Sequence, residues 1–162
     1  MSLLLTLLGV LIGPYLVFAV AGRWLRVLRL SPRDRSKVGI TILFLITGSA
    51  HFFVTAQMAS MIPPFVPARV AIVYMTGVFE LLGAVGIWIP RLARLTGLCL
   101  ILLLIAVFPA NVYAAWHYLP IVGHEAGPRY LLMRTPFQLI LIVWIYLATG
   151  QAWLRSRIYT SG

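Results

Sequence analysis

Five stretches of this 162-residue chain are apolar for about 20 residues each. A helix of that length crosses the roughly 30 Å hydrocarbon core of a bilayer. The stretches are 2–22, 38–59, 70–89, 95–118 and 135–154. With 62% hydrophobic residues and a mean hydropathy of +1.00, the chain has too little polar surface to fold in water. The expected class is all-α: a polytopic membrane protein with a four-helix transmembrane bundle plus one extra N-terminal transmembrane helix. Met1 to Ala21 has no basic n-region, so the first stretch reads as a retained span, with a signal anchor as the related alternative. Gly13-Pro14 marks a kink within it. Thr135 and Pro136 suit the N-cap and first position of the last helix.

The formal charge is +10, from 13 Lys and Arg against 3 Asp and Glu. Such an excess in a soluble protein would suggest nucleic acid as a partner. Here the cations flank apolar stretches, so nucleic acid is set aside. The domain plan is an N-terminal helix at 1–22, a basic cytoplasmic linker at 23–37, a membrane domain at 38–154 and a cytoplasmic tail at 155–162. Linker, turn 90–94 and tail share one side, with ten of the 13 basic residues. Arg69, Arg129 and Arg134 lie on the other. The positive-inside rule places the N-terminus outside and the C-terminus in the cytoplasm, in what reads as a bacterial inner membrane. The linker is either a pure topology signal or also a contact for anionic membrane lipid. Trp24, Trp88, Trp116, Tyr118 and Trp153 lie near span ends, as interfacial aromatics do.

Cys99 stands alone, which excludes an internal disulfide and a Cys-x-x-Cys pair. It reads as a small packing residue. Ionisable groups inside a membrane are candidate functional residues, because lipid makes them costly. His51, Glu80 and Asn111 each fall within a span. At 1.5 Å rise per residue, their depths from the outer ends are roughly 12, 15 and 10 Å, with Gln138 at roughly 5 Å and Gln57 above His51. Thr41, Gly48, His51 and Thr55 form one helical stripe, and Thr76, Glu80, Gly83 and Ala84 form another. Gly77, Gly83, Ala84 and Gly86 favour close helix contact. Pro109 frees a carbonyl near Asn111.

Glu80 and His51 are the catalytic candidates, suited to proton exchange. Asn111, Gln57, Gln138 and Thr76 are ligand-binding candidates, which would fix a polar head in an apolar pocket. The alternative for all of them is an interhelical hydrogen-bond network that only fixes packing. His117 and His124 read as solvated surface histidines. No metal is expected, since no metal-ligand spacing is present.

Several strings together resemble the DoxX-like family of small membrane proteins. They are His51-Phe52-Phe53, Met61-Ile62-Pro63-Pro64-Phe65-Val66-Pro67 and Thr76-Gly77-Val78-Phe79-Glu80-Leu81-Leu82-Gly83. Ile89-Pro90-Arg91 and Phe108-Pro109-Ala110-Asn111-Val112-Tyr113 follow in the same order. The resemblance spans about residues 38–150. It implies a four-helix membrane bundle and an accessory or quinone-interacting role in a membrane oxidoreductase system, as in a small subunit of a thiosulfate:quinone oxidoreductase. Quinone is then the implied cofactor and a redox protein the implied partner. The matched positions are His51, Pro64, Pro67, Glu80, Gly83, Pro109 and Asn111. The chain departs from the pattern in its extra first span, and in Val54-Thr55 where many relatives carry Lys-Pro. Two further readings stay open: a small enzyme or binding protein for a lipophilic molecule, and a structural membrane protein with no ligand.

Overall fold

The structure, a computed structural model, describes residues 2–24, 30–120 and 124–150. Among these there is no strand. The helices are α1 (Ser2–Trp24), α2 (Pro32–Phe53), α3 (Thr55–Ser60), α4 (Arg69–Gly86), α5 (Ala93–Trp116) and α6 (Arg129–Gly150), with a 3₁₀ turn at His124–Ala126. All but α3 are long and apolar enough to cross a membrane. Much of the linker, residues 151–162, Trp153 and the side chain of Trp24 lie outside the described residues.

Helix boundaries differ from expectation where local chemistry outweighs hydropathy. α2 begins six residues before the expected 38. Ser31 accepts the Asp34 amide at 3.1 Å, and Pro32 occupies the first turn, an N-cap arrangement that starts a helix among charged residues. The second half of the basic linker is therefore helical, with Lys37 paired to Asp34 at 3.6 Å. The expected span 38–59 is broken at Val54, and α3 continues after the break. α4 ends at Gly86 rather than 89, because residues 87–92 form successive turns.

α6 begins at Arg129, not at Thr135. Gly127 takes φ 62°, a conformation open to glycine at little cost, and it turns the chain into Pro128 and the first helical residue. Pro136 lies inside the helix, where it removes a bond to the Leu132 carbonyl. α1 likewise runs through Pro14.

α2 packs against α4 and α6, α5 packs against α4 and α6, and α1 lies on α2 and α6. Leu11, Ile40, Phe44, Leu100, Leu141 and Ile145 are fully or almost fully buried in one core cluster. Facing outward on α5 are Leu95, Leu98, Leu102 and Ile105, all exposed. Their 3-4-3 spacing makes one continuous apolar stripe. α4 shows the same with Val78, Leu82 and Val85. An apolar surface on this scale requires lipid as its solvent. Cys99 is exposed beside the α5 stripe. Expected as a small packing residue, it lies outside the core of this chain: its helix turns Leu100, not Cys99, inward.

Candidate functional site

Helices α2 and α4 approach closely enough to set two polar side chains together. A Cβ at Gly77 would stand 2.6 Å from His51 Cβ, and one at Gly48 would stand 3.1 Å from Glu80 Cβ. Without side chains at these two crossings, the backbones close in. The stripe Thr41, Gly48 and His51 thus faces α4, and Thr41 also donates to the Ala84 carbonyl at 3.3 Å.

Thr47 joins the pair. Its hydroxyl donates to Glu80 Oε2 at 2.5 Å, and its carbonyl lies 2.8 Å from His51 Nδ1. A carbonyl only accepts, so Nδ1 carries a proton and Nε2 is left for other partners. Glu80 is 7% exposed. His51 and Arg134 lie within Coulombic reach of its carboxyl.

Glu80, His51 and Thr47 line a cavity of about 560 Å³ bounded by α2, α4, α5 and α6. Thr76, Asn111 and Arg134 supply the other polar groups of the wall. Leu7, Leu43, Phe44, Leu104, Phe137 and Leu141 form an apolar floor. Met58, Met61, Ile62, Pro63, Phe65 and Val66, from α3 and the segment after it, line the opposite end. Arg69 holds that segment through the Ile62 carbonyl, at 3.5 Å. The volume lies within the 300–1,000 Å³ common for small-molecule sites, and an apolar body with a few convergent polar groups is their usual chemistry.

Of the six residues expected in the site, Glu80, His51, Asn111 and Thr76 reach this cavity. Gln57 does not: it is exposed on α3, because the break at Val54 turns that helix away from the His51 stripe. Gln138 is buried but off the wall, and its Nε2 donates to the Leu104 carbonyl of α5 at 2.9 Å. It ties α5 to α6. Asn111 Nδ2 donates to the Val107 carbonyl at 3.2 Å, one turn back. The carbonyl that Pro109 frees is that of Ile105, so the expected pairing is corrected. Thr76 donates to the Val73 carbonyl at 2.8 Å, which leaves oxygen lone pairs for the cavity.

His117 is exposed, as expected. His124 is 3% exposed, with its ring centroid 4.2 Å from that of Tyr130 and the planes tilted by 42°; the expectation of a solvated histidine there is overturned by its seat beneath the start of α6. Two wall residues were missed from sequence. Thr47 stands one turn before His51, a spacing that could have identified it. Arg134 was assigned to a loop because the last helix was started one residue after it; its spacing of three from Phe137 and seven from Leu141 was the available signal.

A family model for a domain of unknown function, DUF8561, matches residues 40–149. The chain belongs to the DUF8561 family. No curated protein and no solved structure matches it. The DUF8561 segment starts inside α2 and ends in α6, so it holds every wall residue of the cavity except Leu7 of α1.

Proposed function

We propose that this DUF8561 protein binds a lipophilic molecule with a polar head in the cavity between α2, α4, α5 and α6, with Glu80 and His51 handling protons at that head. The carrying observation is the convergence, in one apolar cavity, of a carboxyl, an imidazole and an amide from three helices, the first two joined through Thr47. Such groups are costly away from water unless they serve a ligand or one another. In this reading the membrane domain is a four-helix unit and α1 is an addition to it, consistent with the span of the DUF8561 match.

The orientation follows from charge. Lys37 lies 5.7 Å from the Trp88 ring, so the start of α2 and the end of α4 occupy one end, near Arg91 and Arg94. That end is the cytoplasmic one by the positive-inside rule. The cavity then opens toward the outer face of a bacterial inner membrane, with its roof in α3 and the segment after it.

A second reading follows from the DoxX-like resemblance. The strings that carry it supply Met61, Ile62, Phe65, Thr76, Glu80 and Asn111 to the cavity wall. A quinone shared with a redox partner protein is the lipophile this reading names.

The test uses a neutral dodecanol carrying a photoreactive diazirine, added to protein in phosphatidylcholine nanodiscs, with cross-linked peptides mapped by mass spectrometry. Labels are expected on Phe44, Val107 and Phe137, and Ala110→Trp or Val107→Phe, which fill the cavity, should abolish them. Labels confined to the lipid-facing Leu98–Leu102 stripe, unchanged in the filled variants, would overturn the proposal.

A further inference from the structure

Among the described residues, no carboxylate lies within ion-pair distance of Arg134. A guanidinium stays charged under all ordinary conditions and offers five N–H donors. Among the described residues the only ion pair is Lys37–Asp34, at the other end of the molecule. Arg134 makes no hydrogen bond there either, and its Nε is buried without a partner. The Phe137 ring lies 5.8 Å from the guanidinium carbon, and Tyr130, one turn back on α6, is within Coulombic reach. Glu80 lines the same cavity within Coulombic reach but does not touch it.

The placement on α6 matters as much as the charge. Arg134, Phe137 and Leu141 lie on one face, at spacings of three and four. All three line the cavity. The backbone of Arg134 therefore stands roughly 10 Å from that of Leu141 along the helix axis, with the Phe137 ring between them and 5.8 Å from the guanidinium carbon. The cavity thus holds a cation with no contacting carboxylate among the described residues, and a hydrocarbon wall of Phe137, Phe44 and Leu141.

Resting on the cavity reading above, we propose that the ligand is a single-tailed amphiphile with an oxyanion head, a carboxylate or phosphate, held by Arg134. Two guanidinium N–H groups match two oxygens of either head. The tail runs down against Phe137, Phe44 and Leu141. Asn111 keeps its carbonyl oxygen, and Glu80 keeps Oε1, for a protonated or hydroxyl oxygen of the head. A neutral head can accept a guanidinium hydrogen bond but brings no counter-charge, which makes the bond roughly half as strong, and a cationic head is repelled by Arg134.

The experiment is displacement of the diazirine-dodecanol label in phosphatidylcholine nanodiscs, with competitors at equal mole fraction in the bilayer. Dodecanoate and dodecyl phosphate distinguish the two heads. Dodecanol and a short-tailed benzoquinone are the neutral arms, and acetate and inorganic phosphate test the head alone. At least one dodecyl anion should displace the label about ten- to hundredfold more effectively than dodecanol, the span of a hydrogen bond to a charged group. The tail-less anions should not displace it. Arg134→Gln should erase the preference, and Arg134→Lys should keep part of it. Neutral and anionic dodecyl compounds of equal potency, a quinone that outcompetes both, or a preference that survives in Arg134→Gln would overturn the inference while the cavity reading stands. Absence of cavity labelling by the dodecanol probe itself would remove both.

Discussion

Thr47 holds Glu80 with its side chain and His51 with its backbone: the hydroxyl donates to Glu80 Oε2 at 2.5 Å, and the carbonyl meets His51 Nδ1 at 2.8 Å. One residue of α2 thereby fixes the geometry of both protonatable groups.

Thr47→Val removes the hydroxyl and keeps the shape. The carboxyl then loses its only hydrogen bond among the described residues, at an expected cost of about 1–2 kcal/mol. Thr47→Ser should recover most of it. Reversible unfolding in mixed micelles measures the difference, and equal stability of all three proteins would refute the role assigned to this hydroxyl.

Gly77→Ala forces a methyl to within 2.6 Å of His51 Cβ. Separation of α2 from α4 should cost about 1–3 kcal/mol and weaken cavity labelling. Gly9→Ala is the control, since nothing lies within 4 Å of a Cβ there; it should be neutral, or stabilising by about 0.5–1 kcal/mol. The pair of melting curves decides whether the close approach, rather than helix propensity, is what Gly77 supplies.

Gln138→Leu should leave labelling in the cavity unchanged and cost at most about 1 kcal/mol. It loses one interhelical bond, typically worth about 0.6 kcal/mol in membranes, and it also removes a buried Oε1 that has no partner. A large drop in ligand labelling with unaltered stability would return Gln138 to the site.

Cys99 should report lipid. A nitroxide attached there is expected to relax faster with oxygen than with a water-soluble nickel chelate, because the side chain is exposed beside the apolar α5 stripe. Greater access to the chelate would contradict the outward orientation of this face.

Hydropathy made the five long helices legible, because the length of a span is set by bilayer thickness. Their ends were less so. Ser31-Pro32 and Gly127-Pro128 start helices by hydrogen-bond and φ chemistry, and average hydropathy is blind to both. In the site, Glu80, His51, Asn111 and Thr76 could be recognised as polar residues on inward helical faces. Gln57 and Gln138 satisfied the same criterion, yet one follows a helix break and the other spends its amide on a neighbouring backbone. Depth along a helix is a one-dimensional coordinate, and it could not separate a residue on the cavity wall from one beside it. Arg134 was legible in principle and was lost through a six-residue error in where α6 begins.

Leu7 brings α1 into the floor of the cavity, although the family segment begins only at residue 40. A relative lacking this helix would have a side window where Leu7 stands, through which acyl chains could slip laterally. The first helix would then govern which molecules come in from the bilayer, while the chemistry that greets their heads stays the same.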